Sequence, residues 1–363
     1  MLGSLRQEAH HTSVIYSPCY FKSGELYPKK IIITKLDIIL KKFGELMRDF
    51  RNVVFLLIIA VFLLQMFVLK QDAKLAQEKE QIKPTVALST FSLYDIAKNI
   101  SNDTIDLVMI LPFGVDAHSF EPTPKLMAKI MQSDIVVYSG AGLEPWTHSF
   151  EFKNKVIDMS KHVKLLNSEH GSCNHEDHDH HHHEGHEEEV DPHYWLDIQN
   201  MISATQIITD EISKLSTQNE ELYRRNAKNY ISELEMIDAE YRKRLTSCKK
   251  ETIIVNHNAF SYLSQNYGFK VEALSGLSPD AQPDAQNMLK LIEHVKEHDL
   301  SVVFFESFVS DKAMKSIAAE AKVNVDVLQP LGNITADEAQ KKLSYKDIML
   351  ENLEKITKAL ECE

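Results

Sequence analysis

Histidine and acidic residues crowd one short segment of this chain. Between Glu169 and Glu189 the sequence has eight histidines, eight acidic residues and no Lys or Arg. Imidazoles and carboxylates at this density bind borderline-soft cations such as Zn²⁺. The composition predicts a solvated loop over residues 168–190, which offers many near-equivalent ligand sets and no single tight site. Its accessory metal-binding histidines are predicted to be His175, His178, His180, His181, His182, His183 and His186.

Three further histidines stand alone in turn-rich sequence contexts. They are His118 in GVDAHSFEP, His193 in DPHYWLD and His257 in VNHNAF. His118 and His257 each follow a predicted strand, and ligands of open α/β sheets bind beyond the carboxyl ends of strands. Three imidazoles that converge on a cleft would form a three-nitrogen metal site with a fourth position to fill. The alternative for any one of them is an ordinary hydrogen-bonded histidine.

That ordinary interpretation is the one we adopt for the other histidines of the folded region. They are His148, His162, His294 and His298, of which the last two lie on a predicted amphipathic helix.

Strand and helix patterns alternate along most of the chain, which predicts an α/β fold with mostly parallel sheets. In the first half, strands are predicted at residues 85–88, 104–110 and 135–138, with helices at 92–99 and 124–132. In the second half, strands are predicted at residues 251–255, 271–274, 302–305 and 324–327, with helices at 259–266, 284–298, 312–322 and 345–360. We therefore expect two lobes, residues 83–216 and residues 249–363.

Between the two halves the apolar residues recur at helical spacing. Thr217, followed three residues later by Glu220, predicts a capped helix start. The helix then continues for about 28 residues without Gly or Pro, a length of roughly 40 Å. We expect residues 217–248 to form a rigid backbone helix that joins the two lobes.

The N-terminal region contains an apolar run from Val53 to Leu69, interrupted only by Gln65 and preceded by Arg48 and Arg51. A positive segment before an apolar segment is typical of an export signal. We predict that residues 47–69 are a signal peptide or signal anchor, followed by a spacer at residues 70–82. We favour an uncleaved anchor that places the rest of the chain outside the cytoplasm, and a cleaved signal is the alternative. Residues 1–46 fit poorly ahead of such a signal, and our hypothesis is that translation starts at Met47.

Charge and cysteine content narrow the class of protein. The formal net charge is −13, and no basic face is evident, so binding to nucleic acid is not expected. The four cysteines have no CxxC spacing, which excludes a zinc finger built on paired cysteines. Cys248 and Cys362 are candidates for one disulfide in an oxidising compartment, but spacing alone does not decide it.

The histidine motifs, taken together and in order, resemble those of the zinc and manganese solute-binding proteins of ABC transporters (cluster A-I). The resemblance covers about residues 83–363 and includes the acidic histidine loop ahead of the second motif. It rests on the segments GVDAHSFEPTP (114–124), GAGLEPW (140–146), DPHYWLD (191–197), HNAF (257–260), YGF (267–269) and FFES (304–307).

The resemblance implies a monomeric, exported binding protein that captures a metal ion between its lobes and delivers it to a membrane permease driven by an ATPase. It implies His118, His193 and His257 as the metal ligands. Manganese members resemble this pattern but carry a carboxylate at the third position, so His257 favours Zn²⁺ over Mn²⁺. At the fourth position Gln329 stands where an acidic residue is expected, which leaves water or a nearby carboxylate. Glu306 and Asp280 are the candidates, and Glu306 also fits a buried structural residue.

Two other classes stay open. A zinc-dependent hydrolase would also use three protein ligands and a water, but its usual H-E-x-x-H helix is absent. His294 and His298 have the right spacing, yet Val295 stands where a zinc protease has Glu. A metal-binding adhesin is the other class. We expect a binding protein and not an enzyme.

Overall fold

The computed structural model describes residues 29–78, 83–167, 190–278, 285–306 and 311–363. The seven loop histidines that were predicted to bind metal, as well as Asp280, lie outside these described residues. The chain divides into two compact units, residues 1–81 and residues 82–363. In the first unit the described residues belong to one helix, and the second unit contains the sheets.

Ten strands and ten α-helices are present in the described residues. The strands are β1 (Thr85–Leu88), β2 (Asp106–Met109), β3 (Ile135–Tyr138), β4 (Lys155–Asp158), β5 (Leu166–Asn167), β6 (Val190–Asp191), β7 (Thr252–His257), β8 (Lys270–Ser275), β9 (Val302–Phe305) and β10 (Asn324–Val327). The helices are α1 (Lys29–Glu78), α2 (Phe91–Ser101), α3 (Pro124–Gln132), α4 (Ile198–Leu215), α5 (Glu220–Arg244), α6 (Ser261–Tyr267), α7 (Ala285–Glu297), α8 (Lys312–Ala321), α9 (Ala336–Gln340) and α10 (Tyr345–Ala359).

The sheets are almost entirely parallel. Within the second unit, the first half (up to α4) has a four-stranded parallel sheet in the order β2-β1-β3-β4. In the second half β7 pairs with β8 and β9 with β10, both parallel, and β7 lies beside β9. All six residues of β7 are buried, as expected when helices cover both faces of a parallel sheet. The predicted α/β fold with parallel sheets flanked by helices is confirmed.

Helix α5 runs along both halves of the second unit. Its buried residues recur every three or four positions: Tyr223, Ala227, Tyr230, Leu234, Ile237 and Tyr241. It contacts α2 and α4 in the first half and α10 in the second. Its 25 residues give a length of about 37 Å. Its start differs from the predicted capping box, because Thr217 lies in a short 3₁₀ turn (Thr217–Asn219) and α5 begins at Glu220.

One apolar core extends through both halves. It includes Val86 of β1, Trp195 near the start of α4, Val255 of β7 and Phe304 of β9. Burial of a shared core opposes sliding of one half against the other, since movement would expose apolar surface to water.

A disulfide joins Cys248, just after α5, to Cys362 at the end of the chain. Cysteine spacing in the sequence did not decide whether this disulfide forms. The two cysteines are 114 residues apart in the chain, so the bridge closes the second half into a covalent loop. Disulfides persist in oxidising compartments outside the cytoplasm.

Helix α1 is 50 residues long and contains a stretch, Ile38–Lys70, that is long and apolar enough to cross a membrane. Its most apolar 18 residues have a mean hydropathy of 2.8, and none of them is buried. The helix extends on both sides of the predicted apolar run at residues 53–69, because the charged flanks are also helix formers. A membrane span and an export signal share these properties.

Candidate metal centre

The three isolated histidines meet at one point in the structure. The Nε2 atoms of His118 and His193 are 3.3 Å apart, and those of His193 and His257 are 3.4 Å apart. Their possible ligand atoms all lie within 4.8 Å of one another. Residues that are far apart in the sequence thus form one compact group of imidazoles.

The spacing of these nitrogens fits a zinc ion. Zn–N bonds of 2.0–2.1 Å in a tetrahedron place the ligand nitrogens about 3.3 Å apart. Two neutral imidazoles that face each other through lone pairs repel, so the arrangement is favourable only when a cation or a proton lies between them. The donor set, three nitrogens and no thiolate, suits Zn²⁺ better than Mg²⁺, Ca²⁺ or Mn²⁺.

His193 is oriented by an aspartate two residues before it. Asp191, the last residue of β6, accepts hydrogen bonds from the backbone N–H of His193 at 2.9 Å and from its Nδ1 at 2.8 Å. A carboxylate only accepts, so Nδ1 carries the proton and Nε2 bears the lone pair. This carboxylate–histidine arrangement is typical of metal sites, where the second partner fixes the tautomer. His193 is only 2% exposed.

His118 lies in the long connection between β2 and α3. Asp116 accepts a hydrogen bond from the His118 backbone N–H at 2.9 Å, which repeats the turn around His193. The loop is also held from the other half of the unit, because Asn333 Nδ2 donates to the carbonyls of Pro112 and Val115 at 2.6 and 2.7 Å. These contacts fix the position of His118, which is half-buried.

His257 is the last residue of β7 and pairs with Ser275 of β8. The predicted strand ended two residues earlier, so this imidazole is anchored by the sheet itself and not by the turn that follows. Its Nδ1 contacts the carboxylate of Glu306, which comes directly after β9. His257 and Glu306 are each 1% exposed. The contact leaves Nε2 of His257 directed toward the other two histidines.

Burial and neighbouring charge set the protonation of two of these imidazoles. Burial, together with His193 and His257, lowers the pKa of His118 to about 2. For His257 burial alone would lower the pKa, but the Glu306 carboxylate raises it. His118 is therefore neutral and able to bind a metal at physiological pH. The raised pKa of His257 means that a cation must displace a proton from its Nε2, while Glu306 holds the proton on its Nδ1.

The candidates for a fourth ligand occupy different environments. Glu306 lines the site, but its carboxylate contacts His257 at Nδ1, on the side of the ring away from the cluster. Gln329 donates from Nε2 to the Glu338 carboxylate at 3.1 and 2.9 Å, and it is not among the residues that line the site. Asp280 lies outside the described residues.

Apolar and small residues close the rest of the site. Trp195 donates from Nε1 to the carbonyl of Pro330 at 2.6 Å. Gly332 lies against the same indole, where a Cβ atom would come within 3.1 Å of the ring. Leu143 adds a further apolar contact. Exclusion of water by these groups strengthens the attraction between a cation and its ligands.

The turn that presents Leu143 depends on a buried carboxylate. Glu144 accepts hydrogen bonds from the backbone N–H groups of Ser139 and Gly140 at 2.8 and 2.9 Å. Gly140 has φ 79°, and a Cβ there would lie 2.0 Å from the Asp158 carboxylate, so the position requires glycine. Burial raises the pKa of Glu144 to about 7.

The roles of Asp116, Asp191 and Asn333 were not assigned from the sequence. For the aspartates a signal was available, because both histidines occur as Asp-x-His and aspartate commonly accepts from a backbone N–H two residues later. For Asn333 there was none, since its partners are more than 200 residues away in the chain.

Comparison with known proteins gives a consistent family assignment. A family model described as zinc-uptake complex component A, periplasmic, matches residues 86–359. The high-affinity zinc uptake system protein ZnuA of Bacillus subtilis is 34% identical over 308 residues, which are 84% of this chain and 96% of that protein. The zinc-binding lipoprotein AdcA of Streptococcus pneumoniae is 30% identical, and the match covers 79% of this chain but 58% of AdcA. The chain thus spans little more than half the length of that relative.

Solved structures show the same fold. The Zn(II)-bound ZnuA-like domain of Streptococcus pneumoniae AdcA has a TM-score of 0.64 and 29% identity, covering 77% of this chain and 99% of the domain. The laminin-binding protein Lmb of Streptococcus agalactiae, described as having adhesin and metal-transporting activity, has a TM-score of 0.66 and 27% identity, covering 76% and 99%. The periplasmic zinc-binding protein TroA of Treponema pallidum has a TM-score of 0.67 at 22% identity, covering 77% and 99%, which supports the fold alone.

Proposed function

Since the chain belongs to the family of periplasmic zinc-uptake complex component A proteins, we propose that it captures Zn²⁺ outside the cytoplasm and delivers it to an ABC-type permease and its ATPase. The proposed ligands are His118, His193 and His257. The observation that carries the proposal is the spacing of their Nε2 atoms, 3.3 and 3.4 Å, which is that of a tetrahedral zinc site.

The surroundings of the three ligands support binding of a cation. Asp191 and Glu306 hold the Nδ1 side of two imidazoles, so their Nε2 atoms face the incoming cation without rearrangement of the rings. The same two carboxylates place negative charge near the incoming cation. A water molecule completes the tetrahedron in our proposal, because Glu306 is engaged by His257 and Gln329 by Glu338.

Capture fits the site better than hydrolysis. Hydrolysis on zinc needs a general base directed at the metal-bound water. The carboxylates that line the site, Asp116 and Glu306, instead hold the backbone of His118 and the ring of His257. We propose a monomer whose helix α1 acts as a signal or an anchor.

A competition titration against a zinc chelator tests the ligand assignment. His118→Ala, His193→Ala and His257→Ala are each expected to weaken the tight site by more than about 100-fold, because loss of an outer-shell partner alone costs 10–100-fold. His162→Ala, which removes an exposed histidine outside the cluster, serves as the matched control. Unchanged tight binding in all three ligand variants would overturn the proposal.

Delivery requires a separate test in cells. Zinc uptake is measured in a strain that lacks its own copy of the protein and produces either the wild type or His193→Ala. We expect the wild type to restore uptake at low external zinc and the variant to fail. Restoration by both would contradict a role for this site in uptake.

A further inference from the structure

A second group of metal-binding side chains lies away from the cleft histidines. Glu272 of β8, His294 of α7 and His298, just after α7, have possible ligand atoms that all lie within 4.8 Å of one another. The sequence interpretation treated both histidines as ordinary residues of an amphipathic helix. We propose that these three residues form a second divalent-cation site that takes Zn²⁺ at the protein surface.

The helix end presents the two histidines side by side. His298 N–H donates to the carbonyl of His294 at 2.9 Å, so the helical turn continues through His298 although α7 ends at Glu297. The chain then leaves the helix at Asp299, with φ 49°, and Leu300 N–H donates back to the Val295 carbonyl. This closed end holds the two rings one turn apart, with centroids separated by 5.9 Å.

The sheet supplies the carboxylate. Glu272 lies in β8, opposite Ile254 of β7, and its carboxylate contacts Nδ1 of His294. The buried side of α7, through Leu291 and Val295, packs on an apolar cluster that includes Ile254. The ligands thus come from two elements whose relative position is fixed by packing, unlike ligands spread along a loop.

The three side chains determine which cations this site can bind. Two imidazoles and one carboxylate bind first-row divalent cations such as Zn²⁺, with water in the remaining positions. The side chains of His294 and Glu272 are 36% and 28% exposed, and His298 is exposed, so a hydrated cation has direct access. Val295 stands where zinc proteases carry their catalytic glutamate, so the proposal is for binding and not for hydrolysis.

The site is expected to bind zinc more weakly than the cleft. It offers three protein donors in contact with water, and the cation must replace the existing contact between Glu272 and His294. It shares no residue with the proposed cleft site, so this second proposal can be tested independently of the proposed function.

Chemical modification of histidines in the full-length protein tests this site directly. Diethyl pyrocarbonate modifies accessible imidazoles, and mass spectrometry of peptides locates each product. With free Zn²⁺ tenfold above the dissociation constant, His294 and His298 should react about tenfold more slowly. His148 and His162, exposed histidines outside both described clusters, should react at an unchanged rate and serve as controls.

Two variants distinguish zinc binding at this site from nonspecific protection of the histidines and from zinc binding in the cleft. Glu272→Gln keeps the size and a hydrogen-bond acceptor but removes the charge, and it should abolish most of the protection by Zn²⁺. His193→Ala should leave the protection of His294 and His298 intact while it removes tight binding. Equal reactivity of His294 and His298 with and without Zn²⁺, or undiminished protection in Glu272→Gln, would overturn the second site.

Discussion

Two of the proposed zinc ligands are oriented by the same local device. In Asp116-Ala117-His118 and in Asp191-Pro192-His193 the aspartate accepts from the histidine backbone N–H at 2.9 Å. The turn requires little free energy, because an aspartate side chain readily accepts a hydrogen bond from the backbone N–H two residues later. Each aspartate therefore fixes the local turn of its histidine, and for His118 the contacts of Asn333 with the same loop add a second anchor.

Glu306 should act through His257 and not as a ligand. Glu306→Gln keeps an oxygen that can accept from Nδ1 but removes the negative charge, so we expect zinc affinity to fall by about 10–100-fold. Competition titration measures it, with His257→Ala for comparison. A loss as large as that of His257→Ala would instead indicate direct coordination.

Asp95 should make stability depend on pH. This buried carboxylate on α2 accepts from the Tyr230 hydroxyl at 3.0 Å, and burial raises its pKa to about 6. The fold therefore retains a proton that the unfolded chain releases from about pH 4 upward. Stability from this group is present below about pH 4 and is lost as the pH rises through about 6, a change of about 3 kcal/mol.

Asp95→Asn removes that titration. Denaturant unfolding of the metal-free protein at pH 4 and at pH 7 gives the free energies of unfolding for both proteins. The wild type should lose about 2 kcal/mol relative to the variant between these pH values. A difference that stays constant would show that Asp95 keeps an ordinary pKa in the fold.

At the scale of elements, four strands could be predicted with both of their bounds. Residues 85–88, 135–138, 302–305 and 324–327 match β1, β3, β9 and β10 in both bounds. The signal is strong for β1, β3 and β9, which are mostly apolar and largely buried. Strand β10 is Asn-Val-Asp-Val and has no fully buried residue, and the alternation of strands and helices predicted it. Strands β7 and β9 end at His257 and immediately before Glu306, and these two side chains are in contact. The sequence predicted that His257 lies where a strand turns into a helix, although its strand was predicted to end two residues earlier.

Other elements carry too little local information. The short strands β4, β5 and β6 and the helix α9 were not predicted. Strand β4, Lys-Val-Ile-Asp, is stabilised by pairing with β3, a contact that no local pattern reveals. Tertiary packing also creates the contact between Glu306 and His257. It likewise brings Glu272 of β8 to His294 and His298 at the end of α7. Local sequence patterns do not reveal contacts between separate elements.

The acidic histidine loop should be an accessory to the tight site. Deleting residues 170–188 is expected to remove several weak zinc equivalents, because the loop offers many near-equivalent donors, and to leave one tight equivalent. Competition titration counts both classes, and a Gly/Ser segment of equal length provides the control. Loss of the tight equivalent would mean that the loop supplies a ligand to the cleft.

At the scale of the whole molecule, α5 and the shared core join the two halves. Helix α5 contacts elements of both halves, and one apolar cluster includes residues from each. Sequence periodicity predicted such a helix, but not which residues of each half it contacts. Little relative motion of the halves is expected when zinc binds.

The disulfide should contribute substantially to stability. It restricts a segment of 114 residues in the unfolded chain, so replacing Cys248 and Cys362 by Ser should lower the free energy of unfolding by about 2–5 kcal/mol. Cys173→Ser, in the histidine loop, is the matched control. Equal denaturation midpoints for the double variant and the wild type would show that the bridge is dispensable.

The three cleft histidines come from positions between 118 and 257 of the chain and meet only after folding. An unfolded chain therefore lacks the proposed zinc site, and a captured ion would act as a cross-link that forms only on folding. Free zinc at 100 times the dissociation constant would add about 2.7 kcal/mol to the free energy of unfolding. We therefore expect empty molecules to unfold more often than zinc-loaded ones and to be cleaved by proteases sooner, so that zinc scarcity would shorten the lifetime of the protein.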